Sequence, residues 1–146
     1  MMMLRRAGLF AAFLMFPIFC SAQQEHGGDT GPIRSSPAYA EILLRKTELK
    51  ADLEAFAADY TEANPKLLDI RFELSSLDRD MERLFAIRPS ETSKLTLALG
   101  KLIVRKAAIA TDLNRLSRSY NKDHPEVKRA AKKVEIFESA IREVLR

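Results

Sequence analysis

Apolar residues recur at helical spacing from Pro37 to the end of the chain, with steps that alternate between three and four residues within each helix once Lys46 and Lys106 are counted. This spacing places an apolar stripe along one side of a helix and is typical of the seam of a coiled coil. No segment alternates apolar and polar residues in the way that a half-buried strand does. The pattern therefore predicts an all-α fold without a β-sheet.

The pattern occurs twice, and the two copies are 60 residues apart, so that residues 45–86 align without a gap with residues 105–146. The seam of the first copy consists of Ile42, Leu49, Leu53, Phe56, Tyr60, Leu67, Ile70, Leu74, Leu77, Met81 and Leu84. The seam of the second copy consists of Leu102, Ile109, Leu113, Leu116, Tyr120, Val127, Ala130, Val134, Phe137, Ile141 and Val144. A fixed period of this length indicates two copies of one supersecondary unit.

Each copy is interrupted at the same place, by Asn64-Pro65 in the first and by His124-Pro125 in the second. Proline suits the first turn of a helix and keeps the preceding residue out of the α region. The chain should therefore reverse at both places and form two antiparallel helical hairpins, residues 37–88 and 89–146.

Four helices are expected, at residues 37–62, 65–87, 91–122 and 125–145, with Ser90 as the N-cap of the third. Short connections make neighbouring helices antiparallel, as in a coiled coil or a four-helix bundle.

Six residues at the two turns are assigned structural roles: Tyr60, Asn64, Pro65, Tyr120, His124 and Pro125. The tyrosines should pack against the start of the returning helix, and Asn64 and His124 should cap that helix. The alternatives are ligand binding by the tyrosines and a pH-sensitive contact made by His124.

Some residues do not suit a single two-helix seam. Lys46 and Lys106 occupy seam positions, where a lysine either specifies register or partner number or extends out of the interface. Further apolar residues flank the seam: Leu44, Leu68, Phe72, Phe85, Leu97, Ile103 and Val104. One hairpin cannot bury all of them, so the hairpins should pack on each other or on another subunit.

Charge divides between the copies. Residues 37–86 hold 7 Lys and Arg against 11 Asp and Glu, a net charge of −4, whereas residues 97–146 hold 12 against 6, a net charge of +6. The two halves could pair within one chain or head-to-tail between chains, or form ordinary solvated faces. The basic run Lys122, Lys128, Arg129, Lys132 and Lys133 is open to the same interpretations, with anionic glycans or lipid headgroups as further partners.

The N-terminal 22 residues have the order of a secretory signal peptide: Arg5 and Arg6, an uncharged apolar stretch, and small Ala22 before the expected cleavage site. The apolar stretch is short for a bilayer span, so no stable transmembrane anchor is expected after cleavage. Lipidation of Cys20 and an uncleaved anchor are the alternatives. Residues 23–36 are rich in glycine and should form a flexible linker. The expected location is periplasmic or secreted.

Candidate chemistry is sparse. The sequence contains no glycine-rich phosphate loop and no His-Glu-x-x-His pattern, and its 2 histidines lie in the linker and at a turn. We expect no enzymatic activity, no catalytic residue, no cofactor and no metal site. The formal net charge of +4, which falls to +2 when Arg5 and Arg6 are removed, does not favour nucleic-acid binding.

Residues 53–77 and 113–137 each run from a leucine-rich helix through a tyrosine to an Asn-Pro or His-Pro turn and a returning helix. This order resembles the periplasmic coiled coils of polysaccharide chain-length determinants and related exopolysaccharide co-polymerases. Their two membrane-spanning segments have no counterpart in this sequence, so the resemblance implies the hairpin and a link to polysaccharide export, not the co-polymerase activity.

The Asn64-Pro65 turn behind a signal peptide is also similar to small periplasmic helical stress proteins and envelope chaperones. The Leu-Thr-x-x-Gln signature of that group is absent, since Leu95-Thr96 is followed by Leu97 and Ala98. The sequence thus favours a structural or adaptor module of the envelope, which acts through a protein partner or self-association of its helical faces. A periplasmic chaperone is the alternative.

Overall fold

The computed structural model describes residues 30–146. The predicted signal peptide and residues 23–29 of the predicted linker lie outside the described residues. The end of that linker is not an extended tether: it contains a short helix, α1 (Gly31–Arg34), and Ile33 is buried in the core. The Ser36 hydroxyl donates to the Ile33 carbonyl oxygen at 2.6 Å, which holds this segment against the next helix.

Four long helices follow, and a 3-10 helix (Pro89–Lys94) connects the second to the third. They are α2 (Pro37–Asp59), α3 (Pro65–Phe85), α4 (Leu97–Ser119) and α5 (Pro125–Leu145). Residues 30–146 contain no strand, so the all-α fold class is confirmed for the part of the chain that the structure describes.

The prediction of a third helix from residue 91 with Ser90 as its N-cap is wrong. Ser90 lies in the 3-10 helix, and α4 begins at Leu97 with Thr96 as its N-cap. The cause is the burial of Leu95, which is 1 % exposed and has a non-helical backbone. Its backbone N–H donates to Thr92, and its carbonyl oxygen accepts the Ala38 N–H of α2 at 3.2 Å. These bonds hold Leu95 between the starts of α2 and α4, so the helix can begin only after it.

The helices α2, α3 and α4 pack against one another, whereas α5 packs mainly on α4. The bond between Ala38 and Leu95 brings the starts of α2 and α4 together, so these two helices run parallel. Both Tyr-to-Pro turns therefore lie at one end of the molecule. The 3-10 helix and the C-terminus lie at the other, where the Lys94 Nζ donates to the Leu145 carbonyl oxygen at 3.1 Å.

The core forms mainly between α2, α3 and α4. Its buried apolar residues are Ile33, Ala38, Ile42, Leu49, Ile70, Leu77, Met81, Leu84, Leu95, Leu99, Ile103, Ala107 and Ile141. Only the last of these belongs to α5. The helix α5 therefore contacts this core near its C-terminal end and packs mainly on α4 along the rest of its length.

The apolar residues that flank the seam differ in their degree of burial. Ile103 is buried between the helices, and Phe72, Phe85 and Val104 are half-buried. The other three, Leu44, Leu68 and Leu97, remain exposed, with Leu44 58 % exposed. Packing of the helices on one another thus covers part of this surface and leaves an apolar remainder on α2, α3 and α4.

At Gly100, α4 packs closely against the backbone of α2. A Cβ atom at this position would lie 2.8 Å from the Glu41 Cβ and 3.0 Å from both the Cα and the carbonyl oxygen of Ala38. The absence of a side chain at Gly100 therefore allows the two helix backbones to pack at this distance.

Candidate functional site

The two predicted turns have the same backbone geometry. Tyr60 ends α2 with φ −127° and ψ 152°, and Tyr120 ends α4 with φ −130° and ψ 152°. The backbone N–H of each tyrosine donates to the residue four positions earlier, at 3.0 Å and 2.8 Å respectively. Pro65 and Pro125 then open α3 and α5 at the same point of each turn.

Asn64 and His124 are the N-caps of α3 and α5. The Asn64 Oδ1 accepts the Lys66 N–H at 2.8 Å, and the His124 Nδ1 accepts the Glu126 N–H at 3.3 Å. Two different side chains thus supply an acceptor in the same place. Both satisfy a backbone donor that the first helical turn leaves unpaired.

The two tyrosines differ in their ring contacts. The Tyr120 ring stacks on His124 with the ring centroids 4.1 Å apart, so it contacts the start of the returning helix. The Tyr60 ring instead contacts Phe56 of its own helix, with the ring centroids 5.9 Å apart. About half of each tyrosine remains exposed.

Lys106, one of the two seam lysines, lies at the centre of an ion network that joins three helices. It is 7 % exposed, and its Nζ lies 2.6 Å from the Asp80 Oδ1 of α3 and 3.3 Å from the Glu138 Oε2 of α5. Arg83 of α3 bonds to the other oxygen of Glu138 at 3.0 Å. The charge of Lys106 is therefore compensated inside the molecule rather than in solvent.

The two carboxylates of this network have different surroundings. Asp80 is 4 % exposed, and its Oδ2 accepts no hydrogen bond from any described residue. Burial of Glu138 acts to raise its pKa, but the nearby charges of Lys106 and Arg83 and their hydrogen bonds outweigh this effect and lower the pKa below its ordinary value. Both carboxylates also line a groove of about 310 Å³ between α3, α4 and α5.

Other ion pairs connect the acidic and basic halves of the chain. Asp69 of α3 pairs with Arg115 and Arg118 of α4. Within the first half, Arg45 bonds to the buried Glu73 at 2.8 Å. The second seam lysine, Lys46, pairs with Asp78 at the surface. Pairing within one chain, one of the three interpretations of the charge division, is thus present in the structure.

An open groove runs between α4 and α5. Its volume is about 560 Å³. The floor is apolar and consists of Ile109 and Leu116 from α4 and Ala130 and Phe137 from α5. All but Ala130 are only half-buried, although they belong to the predicted seam of this helix pair.

The rims of this groove carry an excess of positive charge. Arg115 pairs with Asp112, and Arg129 pairs with Glu126, so these four charges compensate one another. Arg105 and Lys133 also line the groove, but neither has an ion-pair partner among residues 30–146. Two residues of the predicted basic run, Arg129 and Lys133, thus lie beside an apolar floor.

Residues 30–146 contain no group of three or more His, Cys, Asp and Glu side chains that could hold a metal ion. Within the same residues, no helix has the length and apolar character needed to cross a membrane.

Comparison of the chain with protein families, curated proteins and solved structures finds no match.

The sequence identified Lys106 but not its partners. A lysine that stays buried at a seam position needs an acid on a facing helix, and Asp80 and Glu138 each lie next to a seam residue, Met81 and Phe137 respectively. This adjacency is the signal that could have identified them. The sequence contains no comparable signal for the groove between α4 and α5. The exposure of the groove floor depends on which helices pack over each seam.

Proposed function

We propose that the protein is a non-enzymatic structural or adaptor module of the cell envelope, which binds protein partners through its helical faces. The signal-like N-terminus supports a periplasmic or secreted location. The matching turns at Tyr60 and Tyr120 support the interpretation of the helices as two copies of one hairpin. A link to polysaccharide export is proposed from the resemblance of residues 53–77 and 113–137 alone.

The observation that carries this proposal is the groove between α4 and α5. An apolar floor with unpaired cations on its rims suits an amphipathic helix that carries acidic residues beside its apolar stripe. The ion network of Lys106 supports the same interpretation, because it ties α5 to both α3 and α4 and so holds one wall of the groove in place. A preformed groove loses little entropy on binding, which favours specific docking.

Site-directed photo-cross-linking in the cells that express the chain tests this proposal. A photoreactive residue replaces Lys133 in the groove, and a matched variant replaces Arg79, which is exposed on α3 and has no ion-pair partner in the described chain. We expect a discrete cross-linked species from position 133, in the envelope fraction, and none from position 79.

Equal cross-linking from both positions, or none from position 133 in correctly located protein, would contradict an adaptor groove. The same experiment reports the location, because a chain that remains in the cytoplasmic fraction would contradict the envelope assignment.

A periplasmic chaperone is the second candidate. It is favoured by the large apolar side chains that stay exposed, among them Leu43, Leu44 and Ile136. Exposed apolar surface of this kind can hold unfolded clients without a specific groove. A holdase should suppress the thermal aggregation of unrelated proteins at stoichiometric amounts, and reversal of the groove charges should leave that activity unchanged. An adaptor should show no such suppression.

A further inference from the structure

The two helix pairs are covered differently. In the pair α2 and α3, the seam residues Leu49 and Leu77 are 3 % and 0 % exposed. Their counterparts 60 residues later, Ile109 and Phe137, are only half-buried in the pair α4 and α5. The helix α4 packs against both α2 and α3 and covers the first pair, whereas no described helix lies in the corresponding position on the second. The open groove is therefore the place where a repeated structure would receive its next helix.

The outer face of α2 matches the face of α4 that fills this position. In α4 that face includes Gly100, Ile103, Ala107 and Thr111, all of which are buried. The residues 60 positions earlier are Ala40, Leu43, Thr47 and Ala51, which are small or apolar and all exposed. Ala40 carries the Cβ atom that Gly100 lacks, so α2 would pack at a slightly greater distance than α4 does. This outer face lies opposite the buried stripe of α2 that contains Ile42 and Leu49, because these positions differ by about half a turn of the helix.

The charged residues near these two surfaces support the same correspondence between α2 and α4. Arg45 and Glu73 line a cavity between α2, α3 and α4 together with Ala108 and Asp112 of α4. The 60-residue counterparts of Arg45 and Glu73 are Arg105 and Lys133, the two unpaired cations of the open groove. The counterparts of Ala108 and Asp112 on α2 are Glu48 and Asp52, both exposed acids. Glu48 pairs with Arg45 of its own helix at 3.1 Å, and Asp52 lines the cavity beside Arg45, so both lie at the edge of the outer face. A second α2 in the groove would thus place two carboxylates beside two cations.

We propose that the groove between α4 and α5 receives the outer face of α2 from a second copy of this chain, and that repetition of this contact builds a head-to-tail assembly. The outer face of α2 points away from the α3 and α4 of its own chain, so only another copy can bring it to the groove. The contact joins two different surfaces and is therefore heterologous, which leads to an open filament or a ring rather than a two-fold dimer. This inference rests on the proposed function in that it takes the same groove as a docking site.

Mass measurement by size-exclusion chromatography with light scattering tests the proposal on the full chain. The mass should rise with concentration beyond two chains of 16.5 kDa each. Reversal of the groove cations (Arg105→Glu with Lys133→Glu) should give a monomer, because two acidic surfaces then meet. Reversal of the α2 acids (Glu48→Lys with Asp52→Lys) should also give a monomer.

A mixture of the two charge-reversed variants provides the decisive comparison. Each variant supplies the complement that the other lacks, so the equimolar mixture should regain assembly although neither variant assembles alone. The control variant Arg79→Glu with Lys122→Glu changes the net charge as much as the groove variant does, but at exposed residues that belong to neither surface. It should assemble like the unmodified chain. All variants should unfold at similar temperatures, because the pair of Glu48 with Arg45 that the α2 variant loses is exposed and contributes little to stability.

A wild-type mass of one chain at every concentration would overturn the inference, as would a mass that stops at two chains or a mixture that stays monomeric. These failures are distinct from failure of the proposed function. If position 133 cross-links to a different protein while the purified chain is monomeric, the groove is an adaptor surface and its occupant is not a second copy.

Discussion

The Lys106 ammonium connects three helices at one point, because its partners Asp80 and Glu138 lie on α3 and α5. A buried ion pair stabilises a fold less than its short distances suggest, since both groups lose their hydration. Removal of one partner is costly all the same, because it leaves the other charge buried without compensation.

Replacement of Lys106 by methionine should therefore destabilise the protein by about 3 to 5 kcal/mol, because the Asp80 carboxylate stays buried without its main partner. The matched variant Lys46→Met removes the equivalent lysine of the first copy, which pairs with the exposed Asp78. Its cost should be below about 1 kcal/mol. Urea denaturation measures both values, and equal costs would show that the network of Lys106 contributes no more than a surface pair.

Glu138 gives the network a dependence on pH. Against the effect of its burial, the nearby charges of Lys106 and Arg83 lower its pKa in the folded protein below the ordinary value of 4.5. A lowered folded pKa contributes stability that is fully present above the unfolded pKa and is lost as the pH falls through the folded pKa. The variant Glu138→Gln should thus be less stable than the wild type at neutral pH, and this difference should shrink as the pH falls below about 4.5. A difference that stays constant down to pH 3 would contradict the role of the ionised carboxylate.

At the scale of single elements, the caps determine where the helices begin. Asn64 and His124 supply the same acceptor to α3 and α5. The variant His124→Asn should therefore keep the stability of the wild type, whereas His124→Ala should lose about 1 kcal/mol. Thermal unfolding distinguishes the two. A loss with asparagine as large as the loss with alanine would mean that the stack of Tyr120 on His124, rather than the cap, stabilises this turn.

The contact between α2 and α4 depends on Gly100. In an exposed helix, replacement of glycine by alanine stabilises by roughly 0.5 to 1 kcal/mol. Here the added methyl group would meet the backbone of Ala38, so Gly100→Ala should instead destabilise by about 1 to 3 kcal/mol. The reverse substitution at an exposed position of the same helix, Ala98→Gly, measures the propensity term by itself. A stabilised Gly100→Ala variant would show that the two helices are further apart.

The sequence predicts those element ends that a local signal determines. Pro65 and Pro125 begin α3 and α5 as expected, because a proline both favours the first helical turn and restricts the residue before it. The start of α4 was not predictable in this way. Ser90 and Thr96 are both acceptable N-caps, and the choice depends on the burial of Leu95 between two helices.

The candidate site, like the start of α4, depends partly on contacts between helices that the sequence pattern does not show. The seam pattern identifies Lys106 as unusual. The charge division leaves three interpretations open, and the structure contains pairs of the first kind, within one chain. The open groove depends on the number of helices that surround each seam. Phe137 and Leu77 occupy equivalent positions in the seam pattern. However, α4 packs over the pair α2 and α3 that contains Leu77, and no described helix packs over the pair α4 and α5 in the same way.

At the scale of the whole molecule, the two halves form one unit around α4, which contacts the other three long helices. The helix pair α2 and α3 depends on α4 to bury its apolar residues. Ile42, Leu77 and Leu84 are 0 %, 0 % and 1 % exposed, and they share one core with Leu99 and Ile103 of α4. The groove also results from the position of α4. One side of α4 is buried in the core, and another side is exposed next to α5.

Thermal unfolding of a chain that ends at Arg88, compared with the complete chain, tests this claim most directly. The shortened chain lacks α4 and α5, so each large apolar side chain that loses its cover should cost about 1.5 to 3 kcal/mol. Native domains are stable by only about 5 to 15 kcal/mol, so loss of a few such contacts should leave the shortened chain unfolded or oligomeric. A monomer that unfolds cooperatively at the temperature of the complete chain would contradict the account, because the first helix pair would then need no cover from α4.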